Sequence, residues 1–302
     1  MAAMALPAVG PAHAADLKEK AKKNLKLGIF TSVYAGLPLA DAVRRIKEAG
    51  FKSAVCDFTF KDVRFDPLKP DWEAVKKVTT AFEKNEIRIA GLFGYYNIIE
   101  ADPVKRKPGE ARMELLIKEW KRLGCPIIST ESGTLSKQNE WADAPENHTD
   151  AGYAEFRKAV EPLVKAAEKT GAIIAIEAYY RHVIDTPERN ERLYRDIQSP
   201  SLKLTMDPCN YFRNEDLPKM KPMLEEIFKR IGKQTVLAHA KDVKAAPNGP
   251  DLPAAGLGAL DYPLYLRKLI ELDKELDLIL EHLKLDDVPR AAKFVREQLE
   301  RI

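Results

Sequence analysis

Four side chains in the second half of this 302-residue chain could do chemistry together: Glu177, Asp207, His239 and Glu281. Glu177 closes the apolar run Ala-Ile-Ile-Ala-Ile-Glu, and Asp207 closes Leu-Lys-Leu-Thr-Met-Asp. His239 and Glu281 repeat the pattern in two later runs. Short apolar, β-branched runs followed by turn residues read as buried parallel strands. A polar residue at the end of such a strand lies on the sheet edge where α/β proteins gather ligands and catalytic groups. Three carboxylates and one imidazole make a hard-to-borderline ligand set. It suits one divalent ion, with Mn²⁺ favoured and Mg²⁺, Co²⁺ or Zn²⁺ as alternatives, better than copper or an iron–sulfur cluster. Any one of the four alone could be structural; four at successive strand ends define a site.

Other residues fall near the same edge. Lys241 either binds a substrate oxygen or pairs with Asp242 on the rim. Arg181 and His182 follow Glu177 in a loop within reach of substrate hydroxyls or of solvent, and Glu131 ends an earlier strand. Phe93, Tyr95, Tyr96 and Trp141 offer an apolar floor to a bound substrate, although core packing explains Phe93 equally well. His282, next to Glu281, should turn the other way by strand alternation. Cys209 beside Asp207 reads as a small loop filler rather than a nucleophile.

The elements that must position these residues alternate along the chain. Strands are expected over residues 25–31, 51–58, 87–93, 126–131, to 177, to 207, 235–240 and 276–283. Helices are expected over 38–48, 71–85, 109–123, 153–170, 187–197, 222–231, 262–272 and 288–299, with a long polar loop over 136–150. Eight strand–helix alternations over this length predict an α/β fold, a (β/α)8 TIM barrel in a single domain from residue 25 to residue 302. A doubly wound open sheet would want a glycine-rich turn after the first strand. Thr31-Ser-Val-Tyr-Ala-Gly36 is not one.

Composition narrows the class further. Hydrophobic residues are 45% and charged residues 31%, ordinary for a soluble enzyme. A net charge of +3 argues against nucleic acid and anionic membranes as partners. Three scattered cysteines without a Cys-x-x-Cys exclude a disulfide framework and a cysteine zinc site. Residues 1–24 read as a leader and linker. Residues 1–15 carry no charged side chain, and Ala12-His13-Ala14 has the Ala-x-Ala form that signal peptidase cleaves after. A periplasmic or secreted protein is the expectation, with a cytoplasmic one as the alternative. No other apolar run reaches the ~18 to 20 residues of a membrane helix.

The order of motifs resembles one family. Ile176-Glu177, Thr186-Pro187-Glu188, Asp207-Pro-Cys-Asn210, His239-Ala-Lys241-Asp242, Gly256-Leu-Gly258-Ala-Leu-Asp261-Tyr262 and Leu280-Glu281-His282 follow in sequence. They resemble the sugar phosphate isomerase/epimerase family of xylose isomerase-like barrels. The resemblance implies that Glu177, Asp207, His239 and Glu281 are metal ligands. It also implies that Glu177 and Glu281 move the proton, as in the ketose epimerases. The activity it implies is a metal-dependent sugar isomerase or epimerase that removes a proton next to a carbonyl through a metal-stabilised enediolate. The substrate is then a small carbohydrate, and a homo-oligomer is compatible with the sequence.

Two departures from those epimerases stand out. Asn210 replaces a histidine that they often carry; it can hydrogen-bond a sugar hydroxyl but cannot act as a base. Ala245 and Ala246 stand where they place an arginine. The alternative activity is a lyase or hydrolase that acts on a 3-keto-glycoside by β-elimination at the same metal site. An AP endonuclease-like reading fits less well, because such enzymes use three zinc ions and many histidines, and of the five histidines here only His239 falls at a strand-end ligand position. A non-catalytic sugar-binding protein would not need Glu177 and Glu281 retained.

Overall fold

The computed structural model describes residues 19–21 and 23–302. The signal-like stretch over residues 1–15 lies outside them. Among the described residues, eight parallel strands close into a barrel in sequence order. They are β1 (Leu25–Phe30), β2 (Ser53–Cys56), β3 (Arg88–Phe93), β4 (Ile127–Glu131), β5 (Ile173–Glu177), β6 (Leu202–Met206), β7 (Thr235–Ala240) and β8 (Leu276–Leu280). The barrel closes where β1 pairs with β8, with Leu25 opposite Leu276 and Ile29 opposite Leu280. The predicted TIM barrel is therefore the observed fold.

One helix follows each strand: α1 (Leu39–Glu48), α2 (Trp72–Lys84), α3 (Pro103–Leu123), α4 (Asp150–Thr170), α5 (Pro187–Asp196), α6 (Met220–Ile231), α7 (Tyr262–Glu271) and α8 (Val288–Glu300). Side-chain caps start several of them. Asp71 accepts from the amides of Glu73 and Ala74, Thr149 from Gly152, and Thr186 from Arg189. Such caps satisfy amides that have no partner within the helix. Gly124 and Gly171 end α3 and α4 in the left-handed conformation that glycine adopts without strain.

The structure corrects some boundaries. α3 begins at Pro103, six residues before the expected start, because Asp102 caps it and Pro103 suits a first helical position. Pro108 is accommodated inside it. β8 stops at Leu280 rather than residue 283. His282 takes φ 54°, a left-handed turn that no strand can continue.

Two apolar layers hold the barrel. The larger one lies between strands and helices and includes Ile46, Val78, Phe156, Leu224 and Val295. A smaller one fills the interior: Phe30, Val55, Ala90, Leu237 and Ile279. Interior space is tight enough that a Cβ on Gly28 would meet the Ser53 hydroxyl at 2.5 Å and Ile279 at 2.6 Å. The interior layer forms an apolar floor, and the strand C-termini rise above it. There the edge of the Phe30 ring packs against His239, with ring centroids 5.2 Å apart.

Candidate metal centre

Glu177 is the last residue of β5, Asp207 and Glu281 each follow their strand by one residue, and His239 is the penultimate residue of β7. Successive staves of the barrel bring them to one point. One ligand atom from each of the four lies within 4.8 Å of every other. His239 Nδ1 faces all three carboxylates, at 3.2 Å from Glu177 Oε1, 3.5 Å from Glu281 Oε2 and 3.7 Å from Asp207 Oδ2. The four predicted residues thus form one cluster.

Lys241 enters the same cluster. It is buried, and its Nζ lies 2.7 Å from Glu281 Oε1, 2.9 Å from Asp207 Oδ2 and 3.9 Å from Glu177 Oε1. The alternative pairing of Lys241 with Asp242 is not made. The Asp242 carboxylate instead accepts from the amides of Val243, Gly256 and Leu260.

Three buried carboxylates need compensating positive charge. His239 and Lys241 supply it here. Burial opposes charge on His239, yet Glu177 and Glu281 raise its pKa well above the ordinary imidazole value. Burial likewise opposes charge on Lys241, and Asp207, Glu281 and Glu177 outweigh it. Burial works to raise the Asp207 pKa, but Lys241 and His239 hold it far below the usual carboxylate range. The same balance leaves Glu177 lowered, whereas at Glu281 burial prevails and the pKa is raised.

The donor set fits a divalent cation. Its four atoms converge, its carboxylates are hard, and its positive charge comes from two groups that an ion can replace. The cluster could hold Mn²⁺, Mg²⁺, Co²⁺ or Zn²⁺ through Glu177, Asp207, His239 and Glu281.

Neighbouring groups fix the cluster. Asn210 Nδ2 donates to Glu177 Oε1 at 2.7 Å, so its amide holds a carboxylate of the cluster. Tyr95 donates to the other oxygen, Oε2, at 2.5 Å. Behind Tyr95 runs a chain of hydroxyls, to Ser129 at 2.7 Å and on to Thr205 at 2.8 Å. Burial and the charges of Glu177 and Glu281 raise the Tyr95 phenol pKa well above its usual value, so it remains a donor. Sequence reasoning placed Tyr95 only in an apolar floor. The signal was its position two residues beyond β3, on the same barrel edge as the carboxylates. Asp207 Oδ1 caps a short 3-10 helix by accepting from the Cys209 amide at 3.0 Å. Cys209 is buried, and burial pushes its thiol well above the usual range, as expected of a filler.

The mouth above the cluster is a cavity of about 400 Å³. Glu177, Glu281 and Lys241 line it, together with Phe30, Phe93, Tyr95, Glu131 and Trp141. Asp207 and His239, both buried, lie below it. A neighbouring compartment of about 230 Å³ shares Phe93, Tyr95, Glu131 and Trp141 with the first, and adds Tyr96, Asn97, Glu140 and His182. His182 is buried, with Nδ1 3.6 Å from Glu131 Oε2. Arg181 reaches away instead: its guanidinium donates to the Asn248 carbonyl at 2.6 Å and lies over the Tyr180 ring. His282 sits on the rim and donates from Nδ1 to the Leu252 carbonyl at 2.7 Å. A larger cavity of about 590 Å³ lies outside the barrel between α1 and α8, and among the described residues its lining has no carboxylate–imidazole cluster.

The comparisons agree with this architecture. The chain belongs to the xylose isomerase-like TIM barrel family, whose model matches residues 43–298. No curated protein matches it by sequence. Among solved structures, a D-tagatose 3-epimerase-like protein is 20% identical with a TM-score of 0.71, over 91% of this chain and 97% of that one. The 3-keto-D-glucoside 4-epimerase of E. coli is 15% identical with a TM-score of 0.67, over 92% of this chain and 100% of that one. A xylose isomerase-like barrel from Mycobacterium smegmatis, solved with magnesium, is 14% identical with a TM-score of 0.67, over 93% and 98%. At these identities the likeness is one of fold.

Proposed function

We propose that this protein is a divalent-metal-dependent enzyme that moves a proton next to the carbonyl of a non-phosphorylated carbohydrate, as an isomerase or epimerase. One observation carries this reading. Of the four clustered residues, only Glu177 and Glu281 line the cavity, while Asp207 and His239 lie below it. Two carboxylates are thereby available to a substrate, and the other two residues are left as holders. When bound, a divalent ion supplies the positive charge that makes a proton next to a carbonyl removable.

The protein's own groups divide the remaining work. One of Glu177 and Glu281 takes the proton, and the other returns one. Tyr95 and Asn210 hold the Glu177 carboxylate from both of its oxygens, which fixes its direction. Lys241, the third polar group of the cluster at the cavity wall, offers a positive charge to a substrate oxygen. Phe30, Phe93 and Trp141 supply apolar faces against which a sugar ring packs and water is excluded.

The non-phosphorylated substrate is supported by the loop after β7. Its glycines would suit phosphate, but the amides of Gly256 and Leu260 already donate to Asp242 at 2.9 and 2.8 Å. That internal carboxylate takes the donors a phosphate would need. The E. coli 3-keto-D-glucoside 4-epimerase acts, by its name, on a keto-glucoside, a substrate of the same chemical class.

β-Elimination from a 3-keto-glycoside is the second reading, and Glu131 favours it. This buried carboxyl lines the cavity outside the cluster, and burial and the Glu177 charge raise its pKa well above the usual range. A neutral carboxylic acid beside the substrate can protonate a departing oxygen.

Proton exchange tests the function directly. Mn²⁺-loaded protein is incubated in deuterated water with free ketoses, aldoses and 3-keto-glycosides. Deuterium on the carbon next to the carbonyl, lost in Glu177→Gln and Glu281→Gln, is the expected result. A wild type that labels none of them overturns the proposal.

A further inference from the structure

We infer that the compartment beside Glu131 is a subsite for a second hydroxylated ring, so that the substrate is a glycoside of at least two rings rather than a single sugar. This rests on the proposed carbohydrate chemistry and adds where the second unit goes.

The compartment is contiguous with the main cavity. Four residues, Phe93, Tyr95, Glu131 and Trp141, line both. A ring held over Glu177 and Glu281 therefore has an adjoining chamber of about 230 Å³ at its side, not open solvent alone. Glu131 stands at the junction, beside the atom that would join the two rings.

The walls of the chamber suit a sugar. Trp141 is 48% exposed, although a large apolar side chain is normally covered. Its ring stacks on His182, with centroids 6.0 Å apart and planes 20° from parallel. Such an aromatic plate packs against the C–H face of a pyranose. The loop that carries it is pinned. Asn147 Nδ2 donates to the Arg181 carbonyl at 2.7 Å and to the Thr134 hydroxyl at 2.8 Å, and His148 bridges Asp143 and Asp185 at 2.8 Å each. The plate is thus preorganised.

The polar group aimed into the chamber asks for a hydroxyl. His182 Nε2 lies 2.9 Å from the Glu140 carbonyl, which can only accept, so Nε2 carries the hydrogen. Nδ1 is then a bare acceptor. It is buried in a residue only 2% exposed and, among the described residues, has no hydrogen-bond partner, because its polar neighbour Glu131 Oε2 stands 3.6 Å away, beyond hydrogen-bond distance. A buried acceptor without a donor is costly, and an O–H of a second ring would satisfy it. The imidazole stays neutral, because burial lowers its pKa to about 4. An apolar or purely aromatic ring would leave Nδ1 unsatisfied, which favours a sugar.

The test compares one-ring with two-ring probes. Mn²⁺-loaded full-length protein is titrated calorimetrically with methyl α- and β-glucoside, and with maltose, cellobiose and trehalose. We expect at least one disaccharide to bind about 10-fold or more tighter than either methyl glucoside. His182→Phe and Trp141→Ala should each bring that ratio down toward one. Trp141 is half-exposed, so its variant folds even where His182→Phe does not. Equal affinities, no binding by any probe, or a ratio that survives both variants would overturn the subsite. Solvent deuterium exchange on the ketoses, aldoses and 3-keto-glycosides, which carry the carbonyl that the methyl glucosides and trehalose lack, reads the catalytic proposal separately: exchange without a two-ring preference sinks only the subsite, and a two-ring preference without exchange sinks only the enzyme.

Discussion

Lys241 Nζ stands 2.7 Å from Glu281 Oε1, inside the carboxylate cluster and not on the barrel rim. With His239 it compensates charges that burial would otherwise make prohibitive. Replacing it by methionine removes one cation and leaves the carboxylates in place. Lys241→Met should destabilise the metal-free protein by ~3–5 kcal/mol. Added Mn²⁺ should restore more stability to the variant than it adds to the wild type. Thermal unfolding with and without metal measures both; equal shifts in the two proteins would contradict the account.

Metal uptake should release protons. His239 is held protonated by its neighbours, and a metal ligand must be neutral. The sign follows from the raised pKa. In the metal-free protein, the stability that His239 gains from its charge is fully present below its unfolded value of ~6.5. It is lost as pH rises through the higher folded value. An ion that displaces this proton from the folded protein binds more tightly as pH rises toward the raised folded value. Mn²⁺ titrations at pH 6.5 and 8.0, in buffers of different ionisation enthalpy, should show tighter binding and proton release. Affinity that is flat with pH would count against it.

Tyr95→Phe removes the donor to Glu177 Oε2 and leaves the ring in the cavity wall. A hydrogen bond to a charged group contributes ~1.5–3 kcal/mol, so proton exchange should slow by about 10- to 100-fold. Metal stoichiometry should stay at the wild-type level. Unchanged exchange would mean that Glu177 needs no such support.

His182 gives a pH signature in stability. Its folded pKa is about 4, below the ordinary 6.5. The unfolded chain binds the extra proton between these values, so stability rises with pH across that window. The contribution is fully present above 6.5 and lost as pH falls toward 4. Urea unfolding should show the wild type losing ~2–3 kcal/mol more than His182→Phe over that range. Parallel pH profiles would refute the neutral, buried imidazole.

Much of the barrel was legible because strand and helix periodicity is local. β7 matches its expected bounds, and Glu177, Asp207, His239 and Glu281 converge because parallel staves put every strand end on one edge. Lys241 was harder to place. It lies just past β7, and sequence alone left open whether its long side chain turns inward to the carboxylates or outward to Asp242. Asn210 was read as a partner for sugar hydroxyls, and the structure turns its amide onto Glu177. Both outcomes depend on which buried charge lacks a partner, a three-dimensional quantity with no linear signature. The start of α3 was missed for a local reason: Pro108-Gly109 reads as a breaker, while the Asp102 cap outweighs it.

Metal analysis of the full-length wild type beside His239→Ala tests the central claim most directly. After loading with Mn²⁺ and dialysis, plasma mass spectrometry should find one ion per wild-type chain. The variant, shown to be folded by circular dichroism, should retain a small fraction of that. A wild type that holds no Mn²⁺, Co²⁺ or Zn²⁺, or a variant that holds as much as the wild type, would contradict a metal centre built from the ends of β5 to β8.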